Sequence, residues 1–237
     1  MSPKISIILC TFNEANYIKN TILDLKKNFE NLELIIVDDN STDGTLDIIN
    51  EINQDKKIKL IIRNKAKGLA SAFVRGIIEA TGDHVGWLDT NMSELIPKFN
   101  EMLNVLNDQS DIVILSRYVS GGRDHRNSLR AISSKYFNIF CSILLRCGIK
   151  DFTSGIFLMK RKVINETTFL GYGHGEFFIE FLYDAKKKNF KITEIPYVQK
   201  RDEDLGMSKS APNGFKFFYL GMFYFLRVLS IFLRRDN

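Results

Sequence analysis

The stretch His84-Val85-Gly86-Trp87-Leu88-Asp89-Thr90-Asn91 ends a short apolar run with a carboxylate and, two residues later, a side-chain amide. Apolar runs of this length predict buried parallel strands in a chain that alternates strands and helices. Ligands of such sheets bind beyond the carboxyl ends of the strands, so Asp89 is expected at the rim of a crevice. If the chain stays extended, Asn91 points to the same side, and the two oxygens suit Mg²⁺ or Mn²⁺. Alone, the stretch is better explained by Asp89 capping the next helix.

The rest of the first half of the chain predicts an α/β fold, an open, mostly parallel sheet with helices on both faces. The other strands are predicted over Ile5–Leu9, Leu34–Val37, Ile58–Ile62 and Ile112–Leu115. Helices are predicted over Glu14–Phe29, Leu46–Ile52, Leu69–Ala80 and Pro97–Asn107. Asn13 is expected to cap the first helix, and Gly82 ends the third.

The pattern changes after Ser116, where a loop rich in glycine and charge begins. The helices predicted beyond it are Leu129–Leu145, Gly175–Lys188 and Gly214–Arg235. Strands are predicted over Ile156–Met159 and Lys191–Tyr197, followed by a charged loop, Gln199–Ser210.

Composition limits the class of partner. The 237 residues are 45% apolar and carry a net charge of +5, which suits phosphates, an acidic membrane surface or nucleic acid. The basic residues are dispersed, so no nucleic acid partner is expected. The three cysteines fit no zinc spacing and are read as reduced thiols. The sequence predicts neither a signal peptide nor a membrane-spanning segment.

Polar residues at the ends of consecutive predicted strands suggest one binding edge. These residues are Thr11, Asp38, Asp39, Gly68 and Asp89. Carboxylates there can accept hydrogen bonds from a base or a ribose, and a glycine before a helix allows a phosphate to approach closely. The residues after Asp38 would also form a stable turn in a protein that binds no nucleotide.

Taken together, these motifs resemble inverting family 2 glycosyltransferases of the GT-A fold, above all dolichol-phosphate mannose synthases and related polyprenyl-phosphate sugar transferases. The motifs that carry the resemblance are Ser6–Glu14 (SIILCTFNE), Ile36–Thr45 (IVDDNSTDGT), Gly68–Gly76 (GLASAFVRG), Ala80–Asp83 (ATGD), Trp87–Asn91 (WLDTN), Ser116–Tyr118 (SRY), Ser154–Gly155 and Gly206–Lys209 (GMSK). The resemblance spans nearly the whole chain and implies three parts. These are a nucleotide-sugar-binding half (residues 1–116), an acceptor-binding half of the same domain (117–210) and an apolar interfacial helix (211–237).

The resemblance also implies roles for individual residues. Nucleotide binding falls to Thr11, Glu14, Asp38, Asp39, Gly68, Asp89, Arg201 and Lys209, the last two lying in a loop that closes over the donor phosphates. Asp89 and Asn91 would hold Mg²⁺ or Mn²⁺. The acceptor phosphate would be held by Arg117, Arg130 and Ser134, which act in catalysis together with Asp89.

The chain departs from the family pattern at the metal site. Asn91 stands where the family has a second aspartate, and an amide oxygen binds these cations more weakly than a carboxylate. Glu94 is a candidate for the missing charge. The departure keeps open a catalytically inactive, nucleotide-sugar-binding subunit. A second departure, Cys10 in place of a proline, is expected to matter little.

The acceptor class determines whether a base is needed. A lipid phosphate is largely ionised at neutral pH and attacks without a general base, provided that cations such as the two arginines hold it. A saccharide hydroxyl acceptor would need a base, for which Glu176 and Glu180 are candidates one helical turn apart. A family 2 transferase of that kind, acting on a surface glycan, is the alternative enzyme.

The last predicted helix suggests contact with a membrane. Lys216, Arg227 and Arg234 lie on one stripe, which is expected at headgroup level, and the remaining surface is aromatic and aliphatic. The alternative is a helix packed in the core or at a subunit contact. We therefore expect transfer of one sugar, mannose or glucose, from a GDP- or UDP-linked donor to a polyprenyl (dolichyl) phosphate. The expected location is the cytoplasmic face of a membrane, peripherally or monotopically attached, with an accessory membrane subunit as a candidate partner.

Overall fold

The computed structural model describes residues 3–201 and 214–234, with the side chains of the last helix described from Tyr219 onward. Its strands are β1 (Ile5–Thr11), β2 (Leu32–Asp38), β3 (Ile58–Ile62), β4 (His84–Trp87), β5 (Ile112–Ser116), β6 (Arg123–Asp124), β7 (Phe157–Lys160), β8 (Ile192–Pro196) and β9 (Val198–Gln199). Its α-helices are α1 (Ile18–Asn28), α2 (Thr45–Ile52), α3 (Leu69–Glu79), α4 (Ile96–Gln109), α5 (Ser128–Leu145), α6 (Arg161–Glu166), α7 (Phe177–Lys187) and α8 (Gly214–Leu233).

Seven strands form one sheet in the order β3-β2-β1-β4-β7-β5-β8, and β6 pairs with β9 separately. Every pairing in the large sheet is parallel except those of β7, which runs antiparallel between β4 and β5. The predicted fold class is thereby confirmed. Phe157 of β7 is opposite both Trp87 and Ile114, so the segment leading into β7 lies between the carboxyl ends of β4 and β5.

The core has two layers because side chains alternate across the sheet. In β1, Ile7 and Leu9 face the layer covered by α1, α2 and α4, whereas Ile8 faces the layer covered by α3, α5, α6, α7 and α8. Gly86 lets neighbouring strands pack closely, since a Cβ there would lie 2.9 Å from the Leu158 side chain and 3.0 Å from that of Ile7.

Two local predictions at the sheet edge are wrong. Helix α1 begins at Ile18, because Asn13 adopts a left-handed backbone (φ +56°) and accepts a hydrogen bond from Thr42 N instead of capping. The chain also does not stay extended after Asp89. It enters a 3₁₀ helix over Thr90–Leu95, so alternation does not explain where Asn91 points.

Helix α8 packs on the protein through Val228 and Ile231, which are buried. Two cations of the predicted stripe, Arg227 and Arg234, pair with Glu180 of α7, at 3.0 and 2.8 Å, and Arg234 is still 57% exposed. Lys216 lies among the residues whose side chains are not described. Among the described residues, we find no helix with the length and apolarity needed to span a bilayer.

Candidate functional site

The turn after β2 is organised by Asp38, whose side chain is fully buried. One carboxylate oxygen accepts from Thr11 Oγ1 (2.6 Å) and Ser41 Oγ (2.7 Å), and the other accepts from Ser41 N (2.7 Å). The prediction that Thr11 and Asp38 come together is therefore met in the structure. Because these donors are part of the protein, Asp38 shapes the turn that would receive a nucleoside.

Asp39 ties this turn to the glycine before α3. Its carboxylate accepts from Gly68 N at 2.8 Å and from Arg63 Nε at 2.6 Å. The Arg63 guanidinium also donates to Ser71 Oγ (2.8 Å) and to Gly68 O (3.0 Å). Gly68 has φ +126°, a conformation that other residues rarely adopt, and this allows the loop to bend back onto Asp39. Arg63 was not among the predicted site residues.

Phe12 and Lys67 form a second feature that the sequence did not reveal. The Phe12 ring is 44% exposed directly after β1, and Lys67 Nζ lies 5.2 Å from the ring centroid. An exposed aromatic ring under a cation offers a face on which a nucleobase could stack. Its position after Thr11 was visible in the sequence, but nothing there indicated its exposure.

Glu14 links the loop after β1 to the end of β4. Its carboxylate accepts from Thr90 Oγ1 at 2.8 Å, and its backbone N donates to Thr45 Oγ1 at 2.8 Å. Thr90 lies between Asp89 and Asn91, so Glu14 is held beside the predicted metal ligands. Glu94, the candidate for the missing charge, is exposed and pairs with Lys200 at 3.5 Å.

Asp89 is solvent-exposed at the end of β4. Although the side chain reaches the surface, the protein packed around it reduces its solvation, and this effect together with the charge of Glu14 raises its pKa to about 6. A carboxylate that is open to solvent and lies beside another negative charge suits a divalent cation, because the positive charge of a bound cation favours the ionised carboxylate. Among the described residues, we find no group of three or more His, Cys, Asp and Glu side chains arranged to hold a metal.

Arg117 lies at the end of β5 in a buried ion pair. Its Nε and Nη2 donate to the two oxygens of Asp151, at 2.8 and 2.7 Å, and its backbone N donates to Asp151 at 2.9 Å. Asp124 lies 3.6 Å from Nη1. Only 3% of Arg117 is exposed, and the nearby carboxylate of Asp151 raises its pKa although burial opposes this. This arrangement does not support direct contact between Arg117 and an acceptor phosphate.

The other predicted acceptor residues lie on α5, which begins after Asn127. The Asn127 side chain accepts from Leu129 N and Arg130 N and so caps the helix. Arg130 and Ser134, both half-buried, lie one helical turn apart on α5, and Ser134 Oγ is 3.5 Å from Thr153 Oγ1. Since Arg117 Nη2 donates to the same Thr153 oxygen at 2.7 Å, Arg117 and Ser134 meet at one residue that was not predicted.

The two glutamates proposed as bases differ in their surroundings. Glu180 accepts hydrogen bonds from both Arg227 and Arg234, so its two carboxylate oxygens are already engaged. Glu176 is buried and accepts from His174 N at 2.9 Å. Burial, together with the charges of Glu176 and Asp89, raises the pKa of Tyr224 on α8. Helix α8 therefore reaches the same edge as Asp89.

The predicted phosphate-closing loop is only partly described. Arg201, two residues after the end of β9, is exposed. Lys209 lies outside the described residues.

Comparison with known proteins points to one family. The profile of glycosyl transferase family 2 matches residues 6–168. A dolichol-phosphate mannosyltransferase of Pyrococcus furiosus is 32% identical over 202 residues, covering 82% of this chain and 56% of that protein. A dolichol-phosphate mannosyltransferase of Mycosarcoma maydis is 31% identical over 145 residues, covering 56% of this chain and 49% of that protein. The chain thus spans about half the length of these curated relatives.

A solved structure shares the fold. Glucosyl-3-phosphoglycerate synthase of Mycobacterium tuberculosis, in complex with Mn²⁺, UDP and glucosyl-3-phosphoglycerate, superimposes with a TM-score of 0.71 at 16% identity. The match covers 97% of this chain and 80% of that one. At this identity the likeness concerns the GT-A fold alone.

Proposed function

The chain belongs to glycosyl transferase family 2, and from this premise we propose that it transfers one sugar, mannose or glucose, from a GDP- or UDP-linked donor to a polyprenyl phosphate at a membrane surface. The dolichol-phosphate mannosyltransferases among its relatives support this acceptor class. Within the chain, we assign donor binding to the first half, residues 1–116, and acceptor binding to residues 117–210.

The observation that carries the proposal is that α5 has a polar face directed at the site and an exposed apolar face. One face carries Arg130 and Ser134, which are both half-buried, and Ser134 lies beside Thr153. The rest of the helix exposes large apolar side chains to solvent. These side chains are Leu129 (65% exposed), Ile132 (54%), Tyr136 (67%), Ile139 (43%) and Ile143 (69%). A phosphate-binding face joined to an exposed apolar face suits a ligand with an anionic head and a hydrocarbon tail.

Helix α8 extends this apolar surface. Phe225 of α8 stacks on Phe140 of α5 with ring centroids 5.3 Å apart. The exposed apolar residues of α8 are Tyr219, Met222, Phe223, Phe225, Leu226, Phe232 and Leu233. Contiguous exposed apolar surface of this kind marks an interaction site. We propose that α5 and α8 lie in the headgroup region of the cytoplasmic leaflet, where the net charge of +5 favours anionic lipids. An accessory membrane subunit would compete for the same surface.

The donor side has residues that fit a nucleotide diphosphate and a divalent cation. Thr11, Asp38 and Asp39 shape the nucleoside turn, and Asp89 with Asn91 supplies oxygen ligands that Mg²⁺ and Mn²⁺ accept. The cation, when bound, would neutralise charge on the departing diphosphate. The Mn²⁺ in the structurally similar synthase supports a divalent cofactor.

The transfer needs no base from the protein. An oxygen of the ionised lipid phosphate forms the new bond to the anomeric carbon while the bond to the donor diphosphate breaks, and the nucleoside diphosphate leaves with the electron pair. The protein's contribution is to hold the acceptor phosphate and the donor diphosphate on opposite sides of the anomeric carbon, in line for the transfer, with Arg130 binding the acceptor phosphate. Pairing of Glu180 with two arginines argues against its use as a base for a hydroxyl acceptor.

The test is transfer from a panel of nucleotide sugars to a short-chain polyprenyl monophosphate with Mn²⁺, read as lipid-linked product. We expect product with one donor and none with a saccharide acceptor. Product only on a saccharide hydroxyl would support the alternative enzyme. Donor binding without turnover on either acceptor would support an inactive subunit.

A further inference from the structure

Thr153 lies where the two halves of the chain meet. It leads into β7, between the ends of β4 and β5, and it contacts Arg117, which follows β5, and Asn138 of α5. Neither its sequence environment nor the family resemblance assigned it a role. Its side chain is half-buried, so the hydroxyl is close to both protein and solvent.

Among the described residues, the hydroxyl proton of Thr153 has no acceptor at the usual hydrogen-bond distance. Its oxygen accepts two short bonds, from Arg117 Nη2 at 2.7 Å and from Asn138 Nδ2 at 2.8 Å. A hydroxyl oxygen has two acceptor sites and one proton, so both acceptor sites are filled. Within the described part of the chain, the oxygens that this hydroxyl can donate to are Asp151 Oδ1, 3.4 Å from Thr153 Oγ1, and Ser134 Oγ, 3.5 Å from it. Both distances exceed the usual range for a hydroxyl donor.

The surroundings of this proton suit a phosphate oxygen. Ser134 and, one turn earlier, Arg130 lie on the α5 face beside Thr153, and the Arg117 guanidinium lies behind the hydroxyl. We propose that Thr153 is a further acceptor-binding residue, donating its hydroxyl hydrogen bond to the phosphate of the acceptor. This inference rests on the proposed function. Arg117 then acts as a positioning residue, since it orients the hydroxyl through Nη2 while Asp151 fixes its guanidinium.

Asn138 has the same orienting role from the helix side. Its amide nitrogen donates to Thr153 Oγ1 and to Ser134 O, and its oxygen accepts from Phe152 N at 2.6 Å. These bonds fix the distance between α5 and the segment leading into β7. Two independent donors therefore direct the Thr153 proton away from themselves and toward the space that the phosphate would occupy.

The experiment measures binding of a short-chain polyprenyl monophosphate to the full chain by calorimetry, in wild type, Thr153→Val and Thr153→Ser. Valine keeps the shape and removes the hydroxyl, whereas serine keeps it. A hydrogen bond to a charged oxygen predicts about 10- to 100-fold weaker binding for T153V. T153S should bind within about 3-fold of wild type. Binding of the nucleotide diphosphate should be unchanged in both variants.

A matched control is Thr193→Val, because Thr193 makes a 2.6 Å hydroxyl bond to Ser110 away from the site. T193V is expected to bind the lipid phosphate like wild type, which separates a lost contact from general damage. Equal binding by wild type and T153V overturns the inference alone. Equal loss for both ligands in T153V also overturns it, because that result indicates a structural role. Absence of binding by wild type overturns the proposed acceptor and the inference with it.

Discussion

Replacing Asp151 by Asn is expected to destabilise the protein by about 3–5 kcal/mol, the usual cost of breaking a buried ion pair from one side. Asp151 is fully buried, and each of its oxygens accepts two bonds. One oxygen receives Arg117 N and Nε, and the other receives Arg117 Nη2 and Thr153 N, at 2.7–3.1 Å. Whichever way the new amide turns, its NH₂ group therefore faces two donors, and the Arg117 charge loses its closest counter-charge.

The assay is thermal and urea unfolding of D151N beside Lys98→Gln. In a protein of this size, 1 kcal/mol corresponds to about 2–4 °C in Tm, so D151N should melt about 10 °C lower. K98Q removes an exposed ion pair, Lys98–Glu101 at 2.8 Å, and should change stability by less than about 1 kcal/mol. If D151N and K98Q proved equally stable, Arg117 would not depend on Asp151, and the assignment of Arg117 as a positioning residue would fail.

Three further changes give separate tests. Burial alone would raise the pKa of Glu33, but hydrogen bonds from Ser6 and Thr81 lower it to about 2, so wild-type stability should fall as the pH drops from about 4.5 toward 2. In urea unfolding, the free energy of unfolding of Glu33→Gln should change less between pH 4.5 and 2 than that of wild type. Parallel pH dependences of the two proteins would contradict this. Phe12→Ala should weaken nucleoside diphosphate binding by about 1–3 kcal/mol in calorimetry without lowering Tm, if the exposed ring stacks on the base. Glu180→Gln should speed amide hydrogen exchange in α8 more than in α4, because it weakens the ion pairs of Arg227 and Arg234 that join α8 to α7. An equal change in both helices would show that these ion pairs do not hold α8 in place.

The sheet and its binding edge were largely predictable from the sequence because both follow from local patterns. Apolar runs of four to five residues located β1 to β5, and polar residues at the strand ends indicated the edge at which Thr11 and Asp38 meet. The direction of β7 could not be read in this way, because an apolar run has the same pattern whether it is paired parallel or antiparallel. Its insertion between β4 and β5 brings Thr153 to the site.

Long-range partners were the part that sequence reasoning missed. Spacing showed that Arg227 and Arg234 share one side of a helix, but it could not show that Glu180, 47 residues before Arg227, lies opposite that side. Arg117 was expected at a phosphate, yet its buried partner Asp151 is 34 residues away in the chain. A charged residue is assigned a role by what surrounds it in three dimensions, and local patterns carry little of that information.

The central claim is that the edge at Asp89 holds a diphosphate together with a divalent cation. Calorimetric titration of GDP and UDP, each with and without Mn²⁺, tests it most directly when wild type and Asp89→Ala are compared. We expect one of the nucleotides to bind wild type at least about 10-fold more tightly with Mn²⁺ and to bind D89A with no such gain. The claim would be contradicted if the affinity of wild type for both nucleotides were the same with and without Mn²⁺ and D89A bound them equally well.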